Sequence, residues 1–594
     1  MITPNKFARA IRFSATLVRL CFGLVALFSG LALAVIVVNL LAVKGVSAGV
    51  IPDLPGGGST HIMSSVDPPC GTLDGVIIDS MEDTGNWEIG MGNGAIAATL
   101  TVVSGYNGQA IRLDYNLGIT TGAYVQLKLV PTSTIDLSSG DHLRFFHQGT
   151  TTNTLEVGLV SDVGGNYFGS EWREATHVPW WTYATWDFQD FRKDDTEPFP
   201  DFSKVKEIFI SVTKKDDGVG GIGSFTVDEL QYLKVATRTV PSDFELVTVA
   251  STVTQQAATW TGDRQHSTSW LLQSWLEEYQ QQMNDPAWLY DQALGLIVLS
   301  ETDLPRANQL FTAMDNLQNL DGSWYVGYHY SATLTTTTWI TTTKPVGANA
   351  WMVYALMSYY LRSGNPMAYQ DALEGAAWLA SLQRPDGSLP GEVGASPDNG
   401  APTEANLDAW WAFQATGYLA QADELQTYLL QDVWDPLMKR FKSSGSMYPA
   451  RDQYRIFLDN QTWGAAFLQA VDQDSYARDA LSYARWTLAT TSSNGSICGF
   501  DGAGPFSVWN EGTMQYISAH GENSQYYWEQ MVGQQALDGG LPGSSDSFDG
   551  YTVWLTPWHG IAPTAWLYFA GTGGPFHITH RAFLPLITTS GANP

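Results

Sequence analysis

The sequence predicts a multidomain protein in which a jelly-roll β-sandwich is followed by an all-α (α/α)6 toroid. Three observations predict this architecture. Short strands with alternating polar and apolar residues dominate residues 75–235. Six apolar helical segments recur at a regular period in residues 268–571, and an amphipathic segment accompanies each of them. A regular period of this kind indicates one supersecondary unit used several times.

The N-terminal residues 1–48 have the composition of an export segment. Basic residues, the last of them Arg19, precede an apolar run from Leu20 to Val43, and residues 46–48 form a small-residue cleavage site. The run is long enough to span a bilayer, and its basic flank is expected to stay inside. A cleaved signal peptide and an N-terminal membrane anchor both remain open, and both predict an extracellular or cell-surface protein. A Pro- and Gly-rich linker, residues 49–74, follows.

The composition is that of an acidic, folded protein. The 594 residues include 30 Lys and Arg against 59 Asp and Glu, which gives a formal charge of −29. Such a charge repels a phosphate backbone and argues against nucleic acid as a partner. The three cysteines, Cys21, Cys70 and Cys498, lie in different segments and lack metal-ligand spacing, so we expect neither a metal site nor a disulfide from them.

Residues 75–235 predict an antiparallel sandwich, because segments such as AIRLDY, AYVQLKLV and EIFISVT alternate and end in turn-forming residues. These strands, with IIDSMED from Ile77 and the closing SFTVDELQYL, resemble the galactose-binding-like sandwiches, a group that includes carbohydrate-binding modules. The resemblance implies a structural calcium ion between the first and last strands. Asp79, Glu82 and Asp228 are the matching oxygen ligands, and ordinary surface carboxylates are the alternative.

Aromatic residues gather near the end of this domain, where we expect one or two of them to line a sugar-binding face. The cluster consists of Trp172, Trp180, Trp181 and Trp186. Residues 236–267 are rich in Thr and Gln and predict a connector between the two domains.

In residues 268–571, six segments begin polar and then become apolar on every side, which is typical of helices buried all round. Their starts are marked by Asp291, Asn349, Asn406, Asn460, Glu511 and Ala562, at spacings of 58, 57, 54, 51 and 51. The amphipathic segments begin at Ser269, Leu304, Ala368, Leu419, Ser475 and Asn523. Six inner and six outer helices in alternation predict an (α/α)6 toroid, with residues 572–594 as a tail. The polar starts of the inner helices should meet at one rim.

That rim is rich in carboxylates. Asp291, Glu404, Asp408, Asp459 and Glu511 all lie at inner-helix starts. Acids in a first helical turn interact favourably with the helix dipole and cap free N–H groups, which explains part of the set. Buried helices are nevertheless poor places for unpaired acids. Because Glu404 and Asp408 share one helix face, one of them is expected to be protonated or both to flank a ligand.

The order of these segments, with TEANLDAW in the middle and VWNEGTMQ near the end, resembles the six-hairpin glycosidase superfamily over residues 268–571. The resemblance implies a glycoside hydrolase, and inversion needs one carboxyl as acid and one as base. We expect Glu404 as the acid, Asp459 or Asp291 as the base, and Glu511 and Asp408 as groups that bind sugar or tune the acid. Expected substrate-binding residues are Trp324, Tyr328, Trp351, Asn406, Trp410, Trp463, Trp509 and Trp558.

Other functions remain open on the same fold. A polysaccharide lyase needs a Tyr or His base and cations that neutralise a uronate, roles open to His329, His559, Lys344 and Arg451, although an acidic rim repels uronates. A non-catalytic glycan-binding surface protein is a second alternative. A terpene-cyclase-like toroid is rejected, because the rim lacks DxDD and DDxxD motifs and the chain is predicted to be exported. We expect a monomer that acts on a neutral, β-glucan-like saccharide and uses no cofactor in catalysis.

Overall fold

The computed structural model describes most of the chain after residue 74. The described residues are 75–140, 142–149, 154–161, 167–169, 182–188, 191, 200–214, 221–233, 240–276, 282–331, 333, 338–394, 400–448, 456–492, 496–502, 508–545 and 557–576. The predicted export segment and linker, Trp172, Trp180, Trp181, Arg451 and nearly all of the predicted tail lie outside them. Within the described part, no helix is both long and apolar enough to cross a membrane.

Antiparallel strands build the N-terminal domain. They are β1 Gly75–Asp79, β2 Trp87–Gly92, β3 Ala97–Ser104, β4 Gln109–Asn116, β5 Tyr124–Leu129, β6 His142–Gly149, β7 Thr154–Ser161, β8 Tyr167–Gly169, β9 Thr182–Asp187, β10 Val205–Thr213 and β11 Ile222–Leu233. One sheet has the order β3-β4-β11-β6-β9 with β1 beside β11, and the other has the order β2-β5-β10-β7-β8. The predicted β-sandwich is confirmed.

The core of the sandwich follows from the period-two pattern of the sequence. In β5, Val125, Leu127 and Leu129 are buried and alternate with half-buried polar residues. Trp186 of β9 stacks on Phe145 of β6 at 4.9 Å and is 1% exposed, so it belongs to this core. Trp186 is therefore a core residue and not one of the sugar-binding residues expected from the tryptophan cluster.

Twelve described helices build the second domain. The inner helices are α2 Leu289–Thr302, α4 Val346–Ser363, α6 Thr403–Thr416, α8 Leu458–Ala470, α10 Asn510–Ser518 and α12 Ile561–Thr572. The outer helices are α1 Ser251–Asp263, α3 Leu304–Leu317, α5 Pro366–Ser381, α7 Leu419–Tyr428, α9 Asp474–Leu488 and α11 Ser524–Val532. Each inner helix packs against the next one, and α12 packs back on α2, which closes the ring. The predicted (α/α)6 toroid is confirmed.

Short strands lie in the loops of the toroid. They are β12 Trp275–Leu276, β13 Pro286–Trp288, β14 Gly327–His329, β15 Lys344–Pro345, β16 Glu392–Val393, β17 Trp434–Asp435, β18 Arg440–Phe441, β19 Ala489–Thr491, β20 Cys498–Phe500, β21 Leu541–Pro542 and β22 His559–Gly560. All of them pair antiparallel. Several of these strands directly precede an inner helix, as β13 precedes α2 and β22 precedes α12, so they border the rim.

The first outer helix is not where the sequence placed it. The helix expected from Ser269 is wrong, because residues 275–276 form β12 and pair with β22. Helix α1 lies instead inside the predicted connector, residues 236–267. Its Thr- and Gln-rich sequence has low helix propensity, but Ala257 and Trp260 are buried against the toroid, and burial outweighs propensity.

A polar side chain near the start of each inner helix holds the preceding loop. In four helices a buried amide both accepts from the backbone N–H and donates to the C=O of one loop residue. The pairs are Gln292 with Leu272, Asn349 with Trp324, Asn406 with Leu389 and Gln461 with Phe441. In the other two helices a threonine hydroxyl accepts the loop N–H, Thr513 from Phe500 and Thr564 from Leu541. Buried backbone groups need such partners, so this repeated clamp is structural.

Glutamines form a second repeated clamp between successive outer helices. The Gln318 amide donates to the carbonyls of Gly322 and Asp371, at 2.9 and 3.0 Å. Gln383 and Gln535 make the equivalent pairs of bonds. Gly322 has φ of 87°, and a Cβ there would lie 2.3 Å from the Glu374 carbonyl oxygen. The Asp-Gly turn at Gly322 therefore serves the packing of successive outer helices.

Cys498 is disulfide-bonded, which contradicts the expectation of no disulfide. Its partner lies outside the described residues. The N-terminal domain contacts the toroid, so residues that are far apart in the sequence can lie close together in space. The His142 ring of β6 and the Tyr483 hydroxyl of α9 form a buried hydrogen bond of 2.8 Å.

Candidate active site

Four carboxyl groups gather at the N-terminal ends of neighbouring inner helices. They are Glu404 and Asp408 of α6, Asp459 of α8 and Glu511 of α10. The negative charge of Glu404 contributes to raising the pKa of each of the other three. Such mutual effects require short distances. The structure thus brings these four predicted acids together, and the charge of the fifth, Asp291, also raises the pKa of Glu511.

Glu404 differs from its neighbours because solvent reaches its side chain. It is exposed, whereas Asp408 and Glu511 are each 4% exposed. Protein nevertheless surrounds the Glu404 carboxyl on most sides, and this loss of solvation raises its pKa to about 7. These two facts fit a carboxyl that projects into a deep, open pocket. A group that is both accessible and protonated near neutral pH can donate a proton.

Asp408 is sealed within the cluster. A Cβ at Gly347 would lie 2.6 Å from its Oδ2, so α4 approaches this carboxyl as closely as only glycine allows. Burial, followed by the charges of Glu404 and Asp459, raises the pKa of Asp408 well above its ordinary value. The Trp351 indole N–H partly offsets this rise. The surroundings of Asp408 therefore favour its neutral form beside Glu404.

Asp459 is half-buried and has a backbone donor. Its Oδ1 accepts a hydrogen bond of 2.7 Å from the Asn460 N–H, which favours the ionised form. Burial and the charges of Glu404 and Glu511 outweigh this bond and raise the pKa of Asp459 well above its ordinary value. It is the second carboxyl of the cluster that has access to solvent.

Glu511 ends a chain of hydrogen bonds that starts in the toroid core. The Trp566 indole donates to the Tyr290 hydroxyl at 2.8 Å, and Tyr290 donates to Glu511 Oε1 at 2.9 Å. The Gln515 amide donates to the same oxygen at 3.2 Å. Burial raises the pKa of Glu511 to about 8, and the Tyr290 bond opposes that rise. Burial also holds the pKa of Tyr290 well above its ordinary value, so Tyr290 stays a donor.

Asp291, the fifth predicted acid, is 0% exposed. Neither of its carboxyl oxygens has a well-formed hydrogen bond among the described residues, although the Ser274 hydroxyl and the Ala562 N–H lie near enough to lower its pKa. Burial dominates and raises that pKa to about 7. Because no solvent reaches Asp291, it is poorly placed to activate a water molecule, in contrast to its expected role as a base.

Three expected sugar-binding residues are buried in structural positions. Trp324 is 0% exposed and donates its indole N–H to the Met314 carbonyl, and Tyr328 is 1% exposed. Asn406 is 0% exposed, and the loop clamp and the Pro402 carbonyl occupy its amide. These three predictions are corrected, because a residue without exposed surface cannot contact a sugar.

The remaining tryptophans divide into two groups. Trp351 and Trp463 pack edge-on at 5.6 Å and both contact Tyr290, so they form the floor of the acid cluster. Trp410 packs against Phe467 at 4.9 Å and is 2% exposed, which places it in the core. Trp509 and Trp558 are half-exposed beside the rim strands. These last two keep a surface that a sugar ring could stack on.

The predicted calcium ligands are only partly brought together. Glu82 accepts from the Gln109 N–H at 3.2 Å, and Asp228 Oδ2 accepts from the Asn107 N–H at 2.9 Å, so both contact the β3–β4 turn. Asp79 accepts from the Met81 N–H instead. Among the described residues, no three His, Cys, Asp or Glu side chains converge as metal ligands. Among the same residues, Asp228 Oδ1 is buried without a hydrogen-bond partner, and burial raises the pKa of Asp228 to about 6.

The cationic groups expected of a lyase already have partners. Lys344 pairs with Asp321 at 2.5 Å, and His329 pairs with Asp285 at 2.6 Å. The His559 ring lies edge-on to Trp260 at 6.5 Å. Arg451 lies outside the described residues. A uronate would have to displace these partners.

Sequence reasoning missed Tyr290, Trp566 and Gln515. Tyr290 directly precedes a predicted acid, and Gln515 lies one helical turn after Glu511, where side chains share a face. That spacing was the available signal for Gln515. Trp566 carried no signal, because its direct neighbours Ala565 and Leu567 are apolar and the segment is typical of a buried helix.

No protein-family model matches the chain, and no curated protein matches it in sequence. Several solved structures are similar to it. A family 11 carbohydrate-binding module from Clostridium thermocellum is 18% identical and covers 28% of this chain and 96% of its own, with a TM-score of 0.23. A cellobiose 2-epimerase from Bacillus thermoamylovorans is 11% identical and covers 54% of this chain and 99% of its own, with a TM-score of 0.42. A rhamnosidase from Klebsiella oxytoca is 10% identical and covers 83% of this chain and 96% of its own, with a TM-score of 0.37. At these identities and TM-scores the likeness gives no information on activity.

Proposed function

We propose that the protein is a glycoside hydrolase that cleaves a neutral, β-glucan-like saccharide with inversion. One observation carries the proposal: Glu404 is exposed to solvent at the centre of a carboxyl cluster, and its pKa of about 7 keeps a proton available near neutral pH. Glycoside hydrolysis needs a protonated and an ionised carboxyl together. Burial of the Glu404 carboxyl supplies the protonated partner, and Asp459, which accepts the Asn460 N–H, is the proposed ionised partner.

In the proposed reaction, Glu404 donates its proton to the glycosidic oxygen as the bond to the anomeric carbon breaks. Asp459 takes a proton from the water whose oxygen attacks that carbon from the opposite face. The products are two sugars, and the proton gained by Asp459 returns to Glu404 through solvent. Asp459 is favoured over Asp291 as base because it is half-exposed and accepts the Asn460 N–H, which stabilises its anion.

The clustered acids also support a neutral substrate. The charge of Glu404 helps to raise the pKa of Asp408, Asp459 and Glu511, so each further negative charge beside these groups is unfavourable. A uronate would bring such a charge, and Lys344 and His329 are already paired with carboxylates. Half-exposed Trp509 and Trp558 supply stacking surfaces for uncharged rings.

The experiment is incubation of the exported chain with β-glucan, mannan, pectin and alginate, followed by three measurements. We expect new reducing ends from a neutral polymer, with the anomeric configuration inverted in the first products seen by NMR. Unsaturated-uronate absorbance from pectin or alginate would indicate a lyase. A change of sugar stereochemistry without new reducing ends would indicate an epimerase. Either result overturns the proposal.

We further propose that the protein acts outside the cytoplasm. The disulfide at Cys498 is typical of oxidising compartments, and residues 1–48 have an export composition. Fractionation of the producing cells tests this proposal: we expect the protein in the medium or at the cell surface, and an all-cytoplasmic protein with a free Cys498 thiol would overturn it.

For the sandwich, we propose a glycan-binding role and a structural calcium ion held by Glu82 and Asp228. The buried, unpartnered Asp228 Oδ1 beside the β3–β4 turn supports the ion, since carboxylate oxygens suit calcium. Asp79 is left out, because its carboxyl holds its own loop. Retention of the sandwich domain on insoluble β-glucan in affinity electrophoresis tests the binding role.

A further inference from the structure

A cavity lies beneath the acid cluster and reaches the ends of the inner helices. Its volume is about 300 Å³, and residues from α6, α8, α10 and α12 line it. The chain after α12 forms another wall. Gly573 and Gly574 have φ of 99° and 86°, and they turn this segment so that Phe576 stacks on Trp411 at 4.7 Å. The Tyr354 hydroxyl fixes the segment by donating to the Pro575 carbonyl at 2.7 Å.

Several polar groups on the cavity wall lack a protein partner. The Ser518 hydroxyl, His520 Nδ1 and the indole N–H groups of Trp411 and Trp463 have no hydrogen bond among the described residues, and all four residues line the cavity. Buried polar groups are normally satisfied. Their concentration on one cavity wall indicates a site for a molecule with several hydrogen-bonding groups.

The lining also defines the charge of that molecule. Among the described residues, the lining contains no Asp, Glu, Lys or Arg, and burial lowers the pKa of His520, so the imidazole is neutral at physiological pH. The half-buried Phe576 ring and the polar side chains of Gln469, Ser518 and His520 line this volume and keep some accessible surface. An aromatic surface combined with uncharged donors and acceptors suits a sugar, whose C–H face stacks while its hydroxyls bond.

We propose that this cavity is a second, non-catalytic site for one neutral sugar ring. Exposed Ala470 and Gly573 border it, which gives a route from solvent. The site is also connected to the catalytic rim by one side chain. Gln515 lines the cavity and donates to Glu511 at 3.2 Å, while its oxygen accepts from Thr462 at 3.4 Å. A bound sugar therefore contacts the group that orients a rim acid.

The test is a calorimetric and tryptophan-fluorescence titration with D-glucose and D-mannose. Wild-type protein is expected to bind one of them with a millimolar Kd or tighter. Ala466→Phe fills the cavity and should weaken binding by more than about tenfold. Glu404→Gln changes only the rim and should keep this Kd within about twofold. A crystal soaked with the same sugar locates it directly.

Two outcomes overturn the proposal: no binding of either sugar to the wild-type protein, or binding that Glu404→Gln abolishes and Ala466→Phe leaves intact. If Ala466→Phe lowers the melting temperature strongly, Ser518→Ala provides the second variant. This variant removes one unpartnered hydroxyl without adding volume and should weaken sugar binding several-fold. Unchanged affinity in Ser518→Ala, together with a soaked crystal that holds no sugar in this cavity, excludes the site. Because none of these measurements uses hydrolysis, failure of the proposed activity would not affect them.

Discussion

The Tyr290 hydroxyl lies 2.9 Å from Glu511 Oε1 and donates a hydrogen bond to it. This bond joins the first inner helix to the fifth across the centre of the toroid. It also stabilises the ionised form of a carboxyl whose pKa burial raises to about 8. The negative charge on Glu511 helps to raise the pKa of Asp459, so a change at Tyr290 reaches the proposed base through Glu511.

Tyr290→Phe is therefore expected to alter the pH dependence of hydrolysis. Loss of the donor raises the pKa of Glu511 further, so Glu511 carries less negative charge and raises the pKa of Asp459 less. The acid limb of the kcat/KM profile, which reports ionisation of the proposed base Asp459, should therefore move to lower pH. Loss of a hydrogen bond to a charged group costs about 1.5–3 kcal/mol, which corresponds to a fall of roughly 10- to 150-fold in rate. Tyr359→Phe, which removes a hydroxyl bonded to Asn308, is the matched control. An unshifted profile in Tyr290→Phe would contradict the prediction.

Asp408→Asn is expected to stabilise the protein more at pH 8 than at pH 5. The folded pKa of Asp408 lies well above its ordinary value, so the folded state holds a proton that the unfolded chain releases. Stability from this group is therefore lost as pH rises above the unfolded pKa. The gain in the free energy of unfolding on replacing the acid should be larger at pH 8 than at pH 5 by more than about 1 kcal/mol.

Urea unfolding at both pH values measures this effect, and Asp423→Asn on the exposed face of α7 is the control. The control should show the same small change at both pH values. A gain for Asp408→Asn that does not depend on pH would mean that the folded protein does not hold the extra proton.

Asn349→Ala is expected to destabilise the fold without removing an acid. Its amide accepts from the Trp324 N–H at 2.7 Å and donates to the Trp324 carbonyl at 3.0 Å, and the alanine variant leaves both groups buried and unpaired. The expected loss is about 2–5 kcal/mol in the free energy of unfolding. Gln370→Ala on the exposed face of α5 should cost less than about 0.5 kcal/mol. Equal losses in the two variants would refute the clamp.

Calcium removal is expected to lower the melting temperature of the sandwich. Glu82 and Asp228 contact the β3–β4 turn, and a bound ion would give the buried Asp228 Oδ1 a partner. EDTA should lower the first unfolding transition, added calcium should restore it, and Asp228→Asn should remove this response. A transition that does not respond to EDTA in the wild-type protein would rule out the ion.

The toroid was predictable because burial on all sides leaves a pattern that no exposed helix shows. Residues 403–416 carry that pattern, and the acids of α6 and α8 had to meet because every inner helix starts at the same rim. Helix α1 was not predictable from local sequence. Its Thr- and Gln-rich residues become helical through burial of Trp260 against α12, a contact that only the closed ring provides.

Asn406 shows why the site itself was harder to predict. In the sequence, an asparagine that clamps a loop looks the same as one that binds a sugar hydroxyl. Only the structure shows that the Asn406 amide is bonded to the backbone of Leu389. Trp324 was misassigned for the same reason, since depth in the core is not visible in the chain. The difference between Glu404 and Asp291 likewise depends on the depth of the pocket, which neither local sequence encodes.

The most direct test of the central claim compares Glu404→Gln with Glu424→Gln, a change of the same type on an exposed outer-helix residue. The measurement is kcat/KM for release of reducing ends from the best neutral substrate between pH 5 and pH 8. We predict a fall of about 10²- to 10⁴-fold for Glu404→Gln, with loss of the limb near pH 7, and no change for Glu424→Gln. Hydrolysis by folded Glu404→Gln at the wild-type rate, with the same pH profile, would contradict the account.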